Sequence, residues 1–271
     1  MKLQLVAPGT GLSWVKLGVK TFFRQPLAMS GLFFMFMAVV SVLSVVPVVG
    51  TALSLALVPA ATLGLMAAAR EAVEGRFPMP LTLVTAFRQG ADRTRSMLVL
   101  GAMYAGALLL VLGVATLAAG AVPGPAELGD ATNGEMTPER VRTTLFNPGM
   151  WWAMLVYVPV LMAFWHAPAL VHWHGVSPAK SLFFSLLACW RNKGAMLVYM
   201  AGWVGVFMLV GLVMSLLSAL LGGAAAMNLV LYPAVLFMAS MFHTSIYFTF
   251  RDSFLTEDGA EPSTPPTGDP T

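Results

Sequence analysis

Charge is what this chain lacks. No Asp, Glu, Lys or Arg occurs from Gln25 to Ala69, from Ser96 to Ala126, from Thr143 to Ala179, or from Gly194 to Phe250. Each gap holds at least 20 apolar residues, enough to cross a hydrocarbon core of about 30 Å. Charged residues make up 10% of the chain and the mean hydropathy is +0.79, which excludes an ordinary soluble domain. Cysteine is nearly absent too. Cys189 stands alone, so no intramolecular disulfide forms, and a zinc cluster of thiolates is disfavoured. Within the apolar segments there is neither carboxylate nor amine. That counts against proton- or sodium-coupled carriers, which usually bind their ion on a buried acid. It also removes the paired acids that most hydrolytic chemistry requires. No phosphate-binding loop, nucleophile elbow or dinucleotide fingerprint occurs.

What remains is an all-α membrane protein. The first gap, 45 residues, is too long for one crossing, and Pro47, Gly50 and Thr51 mark a turn within it. The last gap divides likewise at Gly222 and Gly223. Six spans follow, near 28–48, 51–70, 97–121, 150–172, 195–221 and 226–249. Residues 1–250 form one membrane domain, with an outer loop at 122–149 in which Thr137 and Pro138 could start a short helix. The acidic, Pro-rich tail 251–271 is expected to be disordered.

Of 15 Lys and Arg, 13 fall on one side of this six-span arrangement; Arg140 and Arg142 fall on the other. The positive-inside rule then places both termini in the cytoplasm. The formal charge of +3 averages a basic inner face with an acidic outer loop, so it implies no nucleic-acid partner. The N-terminus does not read as a cleavable signal, because its apolar run starts near residue 27 and is too long.

Two marks recur in order. Phe23-Arg24-Gln25, Phe87-Arg88-Gln89 and Trp190-Arg191-Asn192 each precede an odd-numbered span. Pro59, Pro159 and Pro233, in LVPA, YVPV and LYPA, lie in the even-numbered spans. The pattern predicts three parallel repeats, near 12–70, 76–172 and 178–250, each an amphipathic helix followed by a transmembrane hairpin. Each proline would leave a carbonyl four residues earlier (Leu55, Leu155, Leu229) without its partner, so these prolines are expected to face the interior. The competing reading is that aromatic–Arg pairs are ordinary interface anchors and that membrane prolines are common.

Residues 12–24 place Leu12, Val15, Val19, Phe22 and Phe23 on one helical face and Lys16, Lys20 and Arg24 on the other. That is the pattern of an in-plane helix with its apolar side in the acyl boundary. The third segment carries Leu182, Phe183, Leu186 and Trp190 before Arg191 and Lys193; the second ends in Arg88, Arg93 and Arg95. These eight cations are the candidate lipid- or partner-binding residues, with plain topology anchoring as the alternative.

Four histidines are the remaining ionisable candidates. His172 and His174 are two apart, about 200° around a helix, and cannot ligate together from regular helix. A metal or haem site would need His166 to face His243, and interfacial solvation suits His172 and His174 better. The 19 methionines form no dense array and read as packing residues. Gly101/Ala105, Ala102/Gly106 and Ala201/Gly205 are small-residue pairs suited to close helix contact.

The stretch from Met162 to Tyr199, MAFWHAPALVHWHGVSPAKSLFFSLLACWRNKGAMLVY, and the opening FFRQPLAMSGLFFMFM resemble a family of uncharacterised proteobacterial inner-membrane proteins. The Arg-containing segment before a span resembles, more distantly, the membrane domain of some glycerophosphodiester phosphodiesterases, without their catalytic domain. The resemblance implies a fold and an inner-membrane address but no activity. The function expected is a non-enzymatic scaffold or accessory protein, without cofactor, engaging anionic lipid or a membrane-protein partner through its basic face. The alternatives are a transporter or channel for a small or lipid-like solute, and a metal- or haem-handling protein.

Overall fold

The structure, a computed structural model, describes residues 2–47, 49–119, 147–221 and 224–255. The outer loop and most of the tail lie outside the described residues. Nine α-helices are described: α1 Thr10–Arg24, α2 Pro26–Ser44, α3 Gly50–Val73, α4 Ala91–Ala119, α5 Pro148–Trp165, α6 Ala167–His174, α7 Pro178–Arg191, α8 Lys193–Leu221 and α9 Ala224–Ser253. A 3-10 segment, Pro80–Phe87, precedes α4. Six of the segments are long and apolar enough to cross a membrane: α2, α3, α4, α5 with α6, α8 and α9.

The first hairpin turns where Gly50 starts α3. A Cβ there would come within 2.3 Å of the Leu43 carbonyl, so the turn needs glycine. Ser44 and Ser54 stitch the hairpin end, lying 3.1 Å apart and both donating to the Val40 carbonyl.

Three short segments carry the packing at the basic end. Helix α1 lies on α9 and α8, the 3-10 segment on α3, and α7 on α5 and α6. Contact is close enough to exclude side chains. A Cβ on Gly18 would sit 2.3 Å from Ser245 Cβ, and one on Gly64 would meet the Leu83 backbone at 2.7 Å. In α1, Trp14, Val15 and Phe22 are buried, and Trp14 Nε1 donates to Asp252 at 2.8 Å. The expectation that the whole apolar face of α1 sits in acyl chains is therefore corrected. Its buried side is taken up by protein, and only Leu12 and Phe23 of the expected apolar face remain exposed.

The second segment is a 3-10 stretch rather than an amphipathic α-helix. Pro78 and Pro80 withhold N–H groups at its start, and Gly90, at φ 95°, breaks the chain after it.

Span four is not one helix. It divides at His166, because Pro168 cannot continue the ladder begun by α5. Ser185 of α7 repairs the break: its hydroxyl accepts from His166 N at 2.9 Å and donates to Met162 O at 2.8 Å. A side chain inserted into the backbone ladder is a recognised cause of such kinks.

The bundle also extends past residue 250. Helix α9 runs to Ser253, and Lys2–Leu3 pairs antiparallel with Phe254–Leu255. Gln4 N donates to Ser253 O at 2.9 Å. Residues 251–255 thus belong to the packed domain, anchored by Phe254, and the first residues of the chain lie beside the end of α9.

Candidate functional sites at the basic end and within the bundle

The structure separates the eight candidate cations into two groups. Lys16, Lys20, Arg88, Arg95, Arg191 and Lys193 are exposed. Arg24, also exposed, and the half-buried Arg93 reach for the last carbonyls of even spans. Arg24 donates to Val73 O at 3.2 Å, and Arg93 donates to Val171 O with its guanidinium against Gly175. Cations suit helix C-termini, where unpaired carbonyls carry partial negative charge. Arg93 is half-buried and its job is structural.

Exposed aromatic surface flanks the free cations. Phe23 is 65% exposed and Trp190 62%, and Lys193 Nζ lies 5.4 Å from the Trp190 ring centroid. The amides that follow are latches. Asn192 accepts from Val6 N at 3.0 Å and donates to Gln4 O at 3.0 Å, while Gln25 donates to Arg76 O at 3.0 Å.

Arg70 and Arg251, which the charge asymmetry marks only as inner-face cations, come together as well. They line a cleft of about 230 Å³ with Glu74, His174 and the rings of Trp173 and Phe250. Arg70 Nε bonds Glu74 at 3.0 Å, and Arg76 also pairs with Glu74. The hydrogen bond from Arg70 and the charge of Arg76 hold the Glu74 carboxyl below the usual carboxylate range. Arg251 pairs with Asp252 at 2.8 Å. Nothing in the spacing of Arg70 and Arg251, 181 positions apart, could have joined them.

A second cleft, about 220 Å³, opens among α3, α4, α5, α6 and α9. Pro59, Phe164, Trp165 and Phe242 give it apolar walls; Thr62, Tyr104, Tyr157 and His243 supply polar atoms. His243 Nδ1 lies 2.8 Å from the carbonyl of Ala239. A carbonyl only accepts, so Nδ1 carries the proton, and in the neutral ring Nε2 is left as an acceptor.

The prolines behave differently from one another. Pro59 is buried and lines this cleft; Pro159 and Pro233 are exposed. The inward orientation expected of all three holds only for Pro59. Pro159 lies on an apolar groove against Phe183 and Trp190 of α7, and Leu231, Val235 and Phe237, near Pro233, are exposed as well.

The histidines do not converge. His166 packs against Phe250 and Phe254, whereas His243 packs against Phe33 and Phe242. Among the described residues no group of three or more His, Cys, Asp or Glu could hold a metal ion. His172, expected to be solvated, is 2% exposed with both ring nitrogens unpartnered, because α6 is covered along nearly its whole length. Among the small-residue pairs, Gly101 approaches Ala56 O and Ala105 is buried, as close packing requires. Ala102/Gly106 and Ala201/Gly205 are exposed and make no such contact.

Six apolar spans, ion pairs and cations gathered at one end, and a cleft between helices define a polytopic helical membrane protein. The chain is 35% identical, over 99% of its own length and all of the other's, to a probable inner membrane protein of Burkholderia thailandensis. It belongs to the same family, and is a multi-pass inner-membrane protein. No family model and no solved structure matches it.

Proposed function

We propose that this protein is a non-enzymatic inner-membrane scaffold or accessory protein that holds anionic phospholipid at its basic end. The observation that carries this reading is the pairing of exposed aromatics with exposed cations where the short helices meet the spans. Phe23, Trp190, Arg191 and Lys193 present apolar surface beside positive charge. That combination suits the acyl–headgroup boundary, where each cation adds about 1 kcal/mol of attraction to anionic lipid. In this reading the basic end is cytoplasmic, as are both termini.

The same reading makes the protein three copies of one unit arranged in a ring. Each short segment lies on the even span of the preceding copy, α1 closing the ring onto α9. Aligned on the aromatic of the junction, Gly18, Thr82 and Ser185 are equivalent, small and buried. Phe22, Ala86 and Cys189, one residue before it, and Trp14, Pro78 and Ser181, nine before it, are also buried, though they differ in size. Shared burial at these positions supports reading the short segments as copies of one unit.

The test exchanges Arg88, Arg95, Arg191 and Lys193 together for Gln, leaving the structural Arg93 in place. Retention of phosphatidylglycerol by the purified protein, measured by native mass spectrometry, should fall several-fold, and more at low salt. Unchanged retention would reduce the basic face to a topology signal. Orientation is checked by thiol labelling. Burial pushes the Cys189 thiol up to about 12, so the native chain should resist maleimide, whereas Arg191→Cys should label only from the cytoplasmic side.

A second reading, a carrier for a small or lipid-like solute, is favoured by the cleft lined by His243. Flux across proteoliposomes that His243→Leu abolishes would establish it.

A further inference from the structure

We propose that the cleft between α3, α5 and α9 is a binding site for a neutral lipid bearing a hydroxyl group, a long-chain alcohol or phenol, whose O–H donates to Nε2 of His243. The proposal is independent of the basic-end reading.

Three features of the cleft select this chemistry. Its lining contains no Lys, Arg, Asp or Glu, so nothing there compensates a charged headgroup, which would be costly at this depth. It is not simply an apolar groove, because Thr62, Tyr104, Tyr157 and His243 all reach it. Finally, the 2.8 Å contact of Nδ1 with Ala239 O fixes the tautomer, so the imidazole offers an acceptor and not a donor. A ketone, ester or ether cannot satisfy it; an alcohol can. An orphaned acceptor among Phe33, Phe242 and Trp165 would be unfavourable, and a ligand hydroxyl removes that penalty.

Size fits as well. The 220 Å³ volume equals about seven waters at about 30 Å³ each, room for a hydroxyl and the first part of a chain. The cleft is open rather than enclosed, which lets the remaining chain lie outside among the lipid tails.

The experiment uses the full chain in phosphatidylcholine nanodiscs and a photoactivatable diazirine derivative of hexadecanol. Labelled peptides are mapped by mass spectrometry, and labelling is competed with hexadecanol, its methyl ether and hexadecanoate. Labels should fall on residues 58–62, 157–168 and 242–246. Hexadecanol should compete about tenfold better than the ether, the loss expected when one hydrogen bond to the Nε2 acceptor is removed. His243→Leu should bring the two competitors within about twofold. His243→Gln, which keeps an acceptor, should retain most of the preference and guards against misfolding of the Leu variant. The quadruple Gln variant of the basic end should leave the preference untouched. Equal competition by alcohol and ether in the native chain would overturn the proposal. So would labelling outside the cleft, a preference that survives in His243→Leu, or stronger competition by hexadecanoate than by the alcohol.

Discussion

Even and odd spans are written in the same apolar alphabet and do different work. In α3, in α5 with α6, and in α9, 56, 44 and 44% of the most apolar stretch is buried; in α2, α4 and α8 the shares are 22, 22 and 6%. Hydropathy ranks them the wrong way for a soluble protein: the barely buried α8 scores 2.2 and the well-buried α9 scores 1.2. In a bilayer the lipid-facing helix has no reason to be polar. The interior helix has reason to carry small and hydroxylated residues that pack closely and bond across. Helix α9 does so. Ser240, Thr244, Ser245 and Thr249 are all buried; Ser245 contacts Tyr199 and Trp203, and Thr249 accepts from Trp165.

The strongest way to break the comparison is to add bulk to glycines of each kind. Gly18→Leu would drive a side chain into Ser245 and lever α1 off α9. Overpacking against backbone costs about 3 kcal/mol or prevents assembly. Gly205→Leu and Gly211→Leu lie on α8 with open space around them, and should change stability by no more than about 0.5 kcal/mol. Thermal unfolding in detergent reads both. Equal losses at Gly18 and Gly205 would show that α8 packs against something as α1 does.

A hydroxyl comparison sharpens the point. Ser185→Ala removes the group that bonds both His166 N and Met162 O, leaving the amide without a partner and the carbonyl with only the weak Cys189 thiol contact at a buried break. The expected cost is about 1–3 kcal/mol. Ser215→Ala, exposed on α8, should be neutral within about 0.5 kcal/mol.

Six spans and the turn at Gly50 were legible because charge gaps, length and glycine chemistry act locally. The break at His166 had a local signal as well, the proline two residues on, but it was hidden among the more regular Pro59, Pro159 and Pro233. Burial of α1 was only half legible. Amphipathicity identifies a face to be covered, and lipid and protein cover it equally well; the small residues Gly11, Gly18 and Thr21 on that face were the sign that a helix would approach. The clefts were not legible. They join Arg70 to Arg251, and Thr62 to Tyr157 and His243, through tertiary packing that no spacing encodes.

The smallest effect lies where α3 leaves the membrane, at an exposed ion triad that contrasts with the buried hydroxyl bonds of α9. Arg70 and Arg76 hold the Glu74 carboxyl below its ordinary value, the hydrogen bond from Arg70 contributing most. A depressed folded-state pKa means the triad stabilises the fold above the unfolded-state value near 4.5, and that this contribution is lost as pH falls through the folded-state value. Side-chain exposure of 52, 61 and 35% for Arg70, Arg76 and Glu74 lets water and salt screen the pairing, so the contribution is slight. The native chain should lose slightly more thermal stability than Glu74→Gln between pH 7 and pH 3.5, and 0.5 M salt should erase the difference. The buried bonds of Ser245 and Thr249, having no partner that titrates between pH 3.5 and pH 7, should show neither dependence. An acid-sensitive difference that persists in high salt would place Glu74 among the buried contacts of the even spans rather than at their solvated end.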